Sequence, residues 1–432
     1  MSIFNRDEDD GIVHGERALL AVPEIARQPA SRSADARIEE ATGLAEAIGI
    51  EVVEAGAYRI RNVKPASLFG MGQAEEIAER AEEAKAGLII VDGALTPVQQ
   101  KTLEEATKRK VIDRTGLILE IFGERAATAE GRLQVELAHL DYQAGRLVRS
   151  WTHLERQRGG FGFLGGPGET QIEADRRMIR DRMAKIRREL EQVRKTRGLH
   201  RERRQRAPWP VVALVGYTNA GKSTLFNRLT RASVMAEDLL FATLDPTMRE
   251  ISIPGHSKVI LSDTVGFVSD LPTQLVAAFR ATLEEVASAD LILHVRDISH
   301  GDSEAQADDV EAVLTDLGLE GEGAPPRLEI WNKIDLLNEE RREQLSHEAA
   351  RREDVIAISA VTGEGVDAML EMIGQRLTPE TRRYEIRIPA SDGARISWLH
   401  RRGKVRESRM EDDVMTLDVE LSTEAKARFD AL

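Results

Sequence analysis

The stretch Gly216-Tyr-Thr-Asn-Ala-Gly221-Lys222-Ser223-Thr224 decides how this chain folds. It has the spacing G-x-x-x-x-G-K-S, follows the apolar run Val211–Val215 and precedes a helical pattern that begins at Leu225–Leu229. A buried strand, a glycine turn and a helix start form the context in which this motif binds phosphate. Backbone N–H groups line such a turn, and the N-terminal end of the helix adds positive charge. The pattern therefore predicts a P-loop in an α/β domain with a mostly parallel sheet and helices on both faces.

Two side chains of this loop have predicted roles in chemistry. The ammonium group of Lys222 can reach the β- and γ-phosphates of a nucleotide, and the hydroxyl of Ser223 can bind Mg²⁺. Lys222 is therefore a candidate catalytic residue. A chance glycine-rich turn is the alternative, and the motifs that follow in order along the chain argue against it. The predicted nucleotide contacts in the loop are Gly216, Tyr217, Thr218, Asn219, Ala220, Gly221, Lys222, Ser223 and Thr224.

The motif Asn332-Lys333-Ile334-Asp335 indicates which base is bound. It follows a strand-like run at Arg327–Trp331. The ionised carboxylate of Asp335 can accept hydrogen bonds from N1–H and the 2-amino group of guanine, two donors that adenine does not present in this arrangement. Asn332 can connect the base edge to the phosphate loop, and the stem of Lys333 can lie along the ring face. All four residues of the motif are predicted to contact GTP or GDP.

A strand end further along the chain is the last part of the predicted base site. The run Val355–Ile358 reads as a strand, and the predicted contacts Ser359, Ala360 and Val361 follow it. A backbone N–H there can bond the O6 atom of guanine. Taken alone this is an ordinary strand end, and only its position after the base motif indicates a role.

The motif Asp263-Thr264-Val265-Gly266, a D-x-x-G, predicts the contact to the γ-phosphate. It ends a strand-like run at Lys258–Leu261. Asp263 can hold Mg²⁺ through a water molecule, and the N–H of Gly266 can approach the γ-phosphate because glycine has no side chain. Gly266 is therefore a second candidate catalytic residue. The nucleotide contacts predicted in this motif are Asp263, Thr264, Val265 and Gly266.

The segment Leu239–Thr247 supplies threonines in a predicted mobile loop. We predict Thr243 as a Mg²⁺ ligand and catalytic residue in preference to Thr247, and plain loop threonines are the alternative. Two loops that the γ-phosphate holds and that hydrolysis releases would form a switch. The nucleotide contacts predicted in this segment are Phe241, Ala242, Thr243, Leu244 and Asp245.

The residue after the D-x-x-G motif is Phe267, where many switch GTPases carry a glutamine that orients the attacking water. Phenylalanine has no polar group for this task. We therefore expect slow hydrolysis unless a loop residue, a potassium ion (K⁺) or a partner positions the water.

The composition excludes several classes of protein. The chain of 432 residues has no cysteine, so it has no disulfide, no thiolate metal site and no cysteine nucleophile. Its formal net charge of −14 argues against indiscriminate nucleic-acid binding. No apolar run is long enough to span a membrane, and the acidic N-terminus lacks a signal core. We expect a cytoplasmic protein, monomeric in solution, with roughly two to four domains.

Strand-like runs alternate with helical patterns in the N-terminal part, which is typical of a small α/β domain with a parallel sheet. The strands are predicted at Ala18–Val22, Glu51–Ala55, Gly87–Val91 and Val111–Asp113, and the helices at Ser33–Ala47, Gln73–Ala86 and Pro97–Thr107.

The runs Tyr384–Ile388, Arg395–Leu399 and Met415–Glu420 predict one or two hairpins near the C-terminus. The predicted segments are a disordered N-terminus at 1–15, an N-terminal α/β domain at 16–127, a helical hairpin linker at 128–206, a GTPase domain at 207–378 and a small α+β domain at 379–432.

The predicted linker pairs two helical patterns, Thr128–Thr152 and Gln171–Arg197, around the glycine cluster Gly159–Gly168. This arrangement predicts a helical hairpin. The stretch Asp175–Arg206 is rich in Arg and Lys although the whole chain is acidic. A solvated helix face and an RNA-binding surface are both compatible with this excess.

The chain resembles the HflX family of GTPases over nearly its whole length. Outside the nucleotide motifs, the resemblance rests on Val111–Thr115, Leu117–Phe122, Glu130–Leu137 and Gly166–Glu173, the last followed by Asp175-Arg176-Arg177. It implies an N-terminal α/β domain, a helical linker, a GTPase domain and a variable tail. It also implies a cytoplasmic enzyme that binds the large ribosomal subunit through ribosomal RNA and splits stalled or idle ribosomes.

The N-terminal domain of some family members binds ATP. This chain has Gln73 and Gly165 where many members carry lysine and arginine, so we assign it no ATPase chemistry.

Two other functions compete with this one. A GTP-gated tRNA-modification enzyme of a related type would use a C-terminal catalytic cysteine, which the chain lacks. An RNA-binding scaffold whose GTPase regulates the assembly of a ribosomal subunit is the other alternative, and the sequence separates it only poorly from the leading interpretation.

Overall fold

The computed structural model describes residues 15–26, 32–157, 174, 176–193, 209–230, 240–241, 247–269, 285–321, 324–378, 381–411, 413–422, 426 and 429–430. The chain forms two compact units, one of Met1–Ser252 with Ser257–Met369 and the other of Ile253–His256 with Leu370–Leu432. The predicted disordered N-terminus lies outside the described residues, apart from Gly15.

The N-terminal domain is built on a four-stranded parallel sheet with the strand order β2-β1-β3-β4. The prediction of a small parallel α/β fold is therefore confirmed. Its strands are β1 (Arg17–Ile25), β2 (Glu51–Ile60), β3 (Leu88–Val91) and β4 (Lys110–Asp113), and its helices are α1 (Ala34–Glu46), α2 (Met71–Glu83), α3 (Pro97–Thr107) and α4 (Arg114–Arg125).

The central strand β1 is buried on both faces, which explains its unbroken apolar sequence. Successive side chains of a strand point to opposite faces. Leu20 and Val22 pack with residues of α1 and α4, whereas Leu19 and Ala21 pack with residues of α2 and α3. The two helix pairs therefore cover opposite faces of the sheet.

Side-chain caps fix where two of these helices begin. The hydroxyl of Ser33 accepts a hydrogen bond from the N–H of Ala36 at 3.2 Å and starts α1, as its sequence predicts. Before α2, the side chain of Gln73 accepts from the N–H of Gly70 at 3.2 Å and donates to the carbonyl of Arg59 at 2.9 Å. Gln73 therefore closes a structural turn.

Helix α4 is an element that the sequence analysis did not predict. It follows β4 directly, because Asp113 ends the strand and also caps the helix by accepting from the N–H of Gly116 at 2.8 Å. Most of the helix is buried, including Leu117, Ile118 and Phe122. A helix that is apolar on most sides lacks the polar stripe by which a sequence pattern reveals an amphipathic helix.

The linker contains the two predicted helices, α5 (Ala129–Gln157) and α6 (residues 176–193). The guanidinium of Arg182 on α6 donates to both carboxylate oxygens of Glu136 on α5, at 2.6 and 2.8 Å. This bidentate pair holds the two helices together. The glycine cluster between them lies outside the described residues.

The GTPase domain has a six-stranded sheet with the order β10-β9-β8-β5-β7-β6. The pairs β10–β9, β9–β8, β8–β5 and β5–β7 are parallel, which confirms the predicted class. The strands are β5 (Val211–Gly216), β6 (Thr247–Ile253), β7 (His256–Asp263), β8 (Leu291–Asp297), β9 (Arg327–Asn332) and β10 (Val355–Ala357). The helices are α7 (Lys222–Thr230), α8 (Ser303–Asp316), α9 (Glu339–Ala349) and α10 (Val366–Leu377), with a 3-10 turn at Ile334–Leu336.

The order of these strands places the motifs at one edge of the sheet. The P-loop follows β5, the D-x-x-G motif ends β7, and the base motif ends β9. The carboxyl ends of parallel strands face the same side, which is where ligands bind in open α/β sheets.

The C-terminal unit contains an antiparallel three-stranded sheet with the order β11-β13-β12. Its elements are β11 (Thr381–Pro389), helix α11 (Gly393–Arg402), β12 (Lys404–Glu411) and β13 (Val414–Ser422). The predicted α+β class is confirmed, but the interpretation of Arg395–Leu399 as strand-like is wrong. Asp392 caps a helix there, and Leu399 packs into the core with Leu417 and Val419.

None of the helices in the described part of the chain combines the length and the apolar character that crossing a membrane requires.

We predict that Ile77→Ala lowers the free energy of unfolding of the protein by about 2–5 kcal/mol, because the change leaves a cavity in a packed core. Ile77 on α2 is fully buried against the sheet. Met71→Ala on the same helix is the control, since Met71 is 84% exposed. Urea denaturation of both variants makes the comparison, and equal effects would contradict the packing described here.

Candidate nucleotide site

The P-loop depends on two glycines that approach other backbone and side-chain atoms closely. Gly216 has a φ of +150°, and a Cβ on it would stand 2.1 Å from the carbonyl oxygen of Val295. Gly221 has a φ of +93°, and its Cβ would stand 2.2 Å from the side-chain nitrogen of Asn332. Neither position can hold a side chain without moving its neighbour, so the motif spacing follows from the packing.

Lys222 lies at the start of α7 with its ammonium group inside the loop. The group donates to the carbonyl oxygens of Gly216 at 3.0 Å and Tyr217 at 2.7 Å. Burial lowers the pKa of Lys222 to about 8, although the nearby carboxylate of Asp263 favours the charged form. The ammonium is therefore held in the loop, at the position from which the motif predicts it to reach phosphates.

Ser223 and Asp263 meet at the predicted metal position. The Ser223 hydroxyl donates to a carboxylate oxygen of Asp263 at 2.8 Å. In the described part of the chain no three His, Asp or Glu side chains come together in a way that could hold a metal ion. Mg²⁺ usually takes one or two protein ligands and completes its shell with phosphate oxygens and water. A hydroxyl beside one carboxylate fits that pattern.

The loop predicted to supply the other metal ligand is only partly described. Ala242, Thr243, Leu244 and Asp245 lie outside the described residues. Phe241 lies within them and is buried, and its ring meets the ring of Phe122 edge-on with centroids 4.8 Å apart. Thr247, the alternative to Thr243, is the first residue of β6.

Asn332 connects three segments of the site. Its side-chain nitrogen donates to the carbonyl of Ala220 at 2.8 Å, and its side-chain oxygen accepts from the N–H of Ala360 at 2.9 Å. The structure thus brings together the P-loop, the end of β9 and the strand end after β10, as the sequence predicts. The Ala360 N–H is a candidate donor to guanine, so the base would share or replace this bond.

The other residues of the base motif flank this connection. Lys333 has a φ of +67°, and its ammonium pairs with Asp297 at 2.7 Å. One carboxylate oxygen of Asp335 is buried and has no hydrogen-bond partner among the described residues. An acceptor in this condition fits a ligand that brings donors.

Arg228 is a contributor that the sequence analysis missed. It lies on α7, and its Nε donates to the carbonyl of Ala360 at 2.6 Å while Nη2 donates to the carbonyl of Val361. The helix that follows the P-loop therefore also holds the strand end that is predicted to face the base. A single arginine on an exposed helix face gives no sequence signal of such a role.

Phe267 is a core residue. Its side chain is buried in an apolar cluster that also contains Tyr217, Phe241 and Val265. Its N–H donates to the carbonyl of Gly216 at 3.1 Å, and its carbonyl accepts from the N–H of Thr218 at 2.7 Å. The D-x-x-G segment is therefore paired with the P-loop, and the side chain in the glutamine position is buried in the core.

A buried polar network joins the N-terminal domain to this site, and sequence motifs gave no sign of it. The carboxylate of Glu40 on α1 accepts from the hydroxyls of Tyr217 in the P-loop and Ser269 after the D-x-x-G motif. It also pairs with Arg32 and Arg114, each at 3.0 Å. Two guanidinium groups and two hydroxyls thus surround one carboxylate.

The ionisation of Glu40 follows from these neighbours. Burial by itself would raise the pKa of Glu40, but Arg114, the Tyr217 hydroxyl and Arg32 hold it below the usual value. For Tyr217 the same burial, with the Glu40 carboxylate beside it, raises the pKa of the phenol. Glu40 is therefore ionised and Tyr217 neutral over the physiological range.

Comparisons with known proteins identify the family. In sequence order the chain matches the GTP-binding GTPase N-terminal region at 35–123, the GTP-binding GTPase middle region at 125–204, a 50S ribosome-binding GTPase at 211–333 and the HflX C-terminal domain at 344–431. It is 50% identical to a protein named GTPase HflX from Magnetococcus marinus, over 96% of this chain and 94% of that protein. The chain belongs to the HflX family of GTPases.

A second relative and one solved structure match over comparable lengths. GTPase HflX of Escherichia coli strain K12 is 44% identical over 87% of each chain. The crystal structure of a GTP-binding protein from Sulfolobus solfataricus in complex with GDP is 24% identical, with a TM-score of 0.44, and covers 84% of this chain and 98% of that one. As an HflX-family member with a P-loop domain, the chain is an enzyme that hydrolyses GTP.

We predict that GTP binding takes up a proton at pH 8 and above, because phosphate favours the charged form of Lys222, whose pKa lies near 8. GTP affinity should therefore fall as pH rises from about 8 towards 10.5, the usual value for lysine. Calorimetry in buffers of different ionisation enthalpy at pH 8.5 measures the uptake. The same measurement on Lys222→Met should show no uptake, and equal uptake by both would exclude Lys222 as its source.

We also predict that Glu40→Gln destabilises the protein by about 2–3 kcal/mol at neutral pH, because it removes a shared charged partner from two buried guanidinium groups. Among the described residues, Arg32 then keeps only Asp309 as a carboxylate partner, and Arg114 keeps only Asp92. The pKa of Glu40 is lowered in the folded protein, so its stabilisation is present above the ordinary value of 4.5 and is lost as pH falls through the folded value. The gap between variant and wild type should close on acidification. Glu39→Gln, at an exposed neighbour, is the control in urea denaturation at both pH values.

Proposed function

We propose that this GTPase is a switch that binds the large ribosomal subunit in the cytoplasm and separates stalled or idle ribosomes. The match of residues 211–333 to a 50S ribosome-binding GTPase carries the proposal. The second support is an exposed basic surface on the linker. A GTPase that acts in subunit assembly is the competing candidate, and the experiment below separates the two.

The basic surface consists of Arg177, Arg180, Arg187 and Arg188 on α6, all of which are exposed. Their spacing puts them within about 100° of one another around the helix axis, on the side away from the buried Ile186. Arg177, Arg180 and Arg187 make no hydrogen bond or ion pair within the described residues. Guanidinium groups without carboxylate partners are available for phosphates of ribosomal RNA, which supports the RNA-binding interpretation of this helix.

The nucleotide site supports the predicted roles of its residues. We assign Lys222 and Gly266 to the γ-phosphate, Ser223 and, through water, Asp263 to Mg²⁺, and Asn332 with Asp335 to guanine. Thr243 keeps its predicted role as second metal ligand. Mg²⁺ bound there would neutralise charge on the phosphates. A loop residue, a monovalent cation such as K⁺ or the ribosome itself would position the attacking water, which Phe267 cannot do.

The switch follows from the contacts of the D-x-x-G segment. Phe267 and Ser269 bond to the P-loop residues Gly216, Thr218 and Tyr217. A γ-phosphate that binds the N–H of Gly266 must act on this paired segment. Release of the phosphate after hydrolysis must then free the segment. Ser269 also touches Glu40 and Arg114, so the change would reach the N-terminal domain.

Sucrose-gradient sedimentation of whole ribosomes with the protein and a non-hydrolysable GTP analogue tests the function. We expect mature subunits to be released with the analogue and not with GDP. Binding only to immature particles would favour the assembly role. If the protein neither releases subunits nor binds immature particles, ribosomes are excluded as the partner.

We predict that Arg177→Glu with Arg180→Glu weakens binding to large subunits and flattens its salt dependence by roughly one unit of log–log slope for each lost phosphate contact. The control is Arg341→Glu with Arg351→Glu, which makes the same change in net charge at exposed residues of the GTPase domain. GTP affinity should stay constant in both variants. If the two pairs behave alike in co-sedimentation at two salt concentrations, the basic surface is only a solvated helix face.

A further inference from the structure

One P-loop side chain has a polar group whose hydrogen-bonding capacity the described structure does not use. The hydroxyl oxygen of Thr218 is buried, with 6% of the residue exposed, and it has no hydrogen-bond partner among the described residues. Burying a hydroxyl without a hydrogen-bond partner is unfavourable, because the group loses its bonds to water. An unsatisfied buried hydroxyl is explained if a bound substrate supplies the missing hydrogen bond.

The surroundings of Thr218 identify the part of the substrate that it borders. Its Cγ2 and Cα atoms lie 2.8 and 2.9 Å from the point where a Cβ on Gly266 would stand, and the ammonium nitrogen of Lys222 lies 3.1 Å from the same point. Gly266 and Lys222 are the two groups assigned above to the γ-phosphate. Thr218 is therefore next to the place where that phosphate is expected.

The backbone fixes Thr218 in this position. Its N–H donates to the carbonyl of Phe267 at 2.7 Å, and a parallel bridge pairs Tyr217 with Phe267. These bonds hold the Cα atom of Thr218 beside Gly266, so only rotation about χ1 remains to place the hydroxyl. A group whose backbone is already fixed loses less entropy when it binds a reacting molecule.

The reaction needs a group of this kind, because the ring of Phe267 lies in the core. We propose that Thr218 is a catalytic residue of GTP hydrolysis, whose hydroxyl holds the attacking water against the γ-phosphate. A hydroxyl can accept a hydrogen bond from the water and donate its own hydrogen to a γ-phosphate oxygen. The proposal rests on the assignment of Lys222 and Gly266 to the γ-phosphate.

Thr218 orients the water and is unchanged by the step. The water oxygen forms a bond to the γ-phosphorus, the bond from this phosphorus to the β–γ bridging oxygen breaks, and its electron pair stays on GDP. One water proton moves to a γ-phosphate oxygen, and the other remains on the oxygen now bonded to phosphorus. Inorganic phosphate leaves with both protons.

The test is Thr218→Val, which keeps the shape and the backbone bond and removes the hydroxyl. We expect single-turnover GTP hydrolysis without ribosomes to slow by at least about tenfold, while GDP affinity stays within about twofold of wild type. Binding of the GDP–aluminium fluoride complex, which mimics the transferring phosphoryl group, should weaken in parallel with the rate. Thr218→Ser restores a hydroxyl and should recover most of the lost rate.

Thr315→Val is the matched control, because the Thr315 hydroxyl bonds a carbonyl within the exposed surface of α8. A wild-type rate for Thr218→Val would overturn the proposal. So would an equal loss of GDP affinity, because the hydroxyl would then maintain the loop. Lys222→Ala distinguishes the underlying assignment: if that variant hydrolyses GTP normally, the γ-phosphate is not placed at Lys222 and Gly266, and the proposal fails with it.

Discussion

The buried polar network around Glu40 is the interaction on which the contact between the N-terminal and GTPase domains depends, because Tyr217 and Ser269 bond to Glu40 and Asp309 pairs with Arg32 across it. A carboxylate buried this deeply is tolerated only if cations and hydrogen-bond donors surround it. Arg32 and Arg114 supply the charge, and Tyr217 and Ser269 supply hydroxyls from the nucleotide site. Arg32, Glu40 and Arg114 all belong to the N-terminal domain, so the bonds that depend on contact between the domains are those to Tyr217, Ser269 and Asp309.

The apolar core also includes residues of both domains. Residues of β1, α1 and α4 pack in one continuous cluster with Tyr217, Phe241 and Phe267 of the GTPase domain. The segments that respond to the γ-phosphate in a switch GTPase are thus packed against the N-terminal domain. The close packing of protein interiors transmits small displacements, so nucleotide exchange and interdomain contact are expected to be linked.

Short motifs and simple periodicity predicted most of this fold, and the failures have physical causes. The P-loop, the D-x-x-G motif and the base motif were found because each needs particular residues in a row. Helix α4 was missed because it is buried on most sides, and Arg395–Leu399 was misread because five residues with alternating character fit either period. Arg228 and Glu40 act over long sequence separations, and a single sequence holds no signal for such pairs.

The position of the Phe267 ring has a consequence for enzyme engineering. Comparison with other switch GTPases suggests that glutamine at this site would create a faster enzyme. The bridge to Tyr217 sets the direction in which the side chain leaves the backbone, and that direction leads into the apolar cluster. A glutamine amide there would be buried without partners and would never reach the attacking water. To make GTP hydrolysis faster by design, the path of the backbone after Gly266 would have to be changed first. The choice of side chain at position 267 would come second.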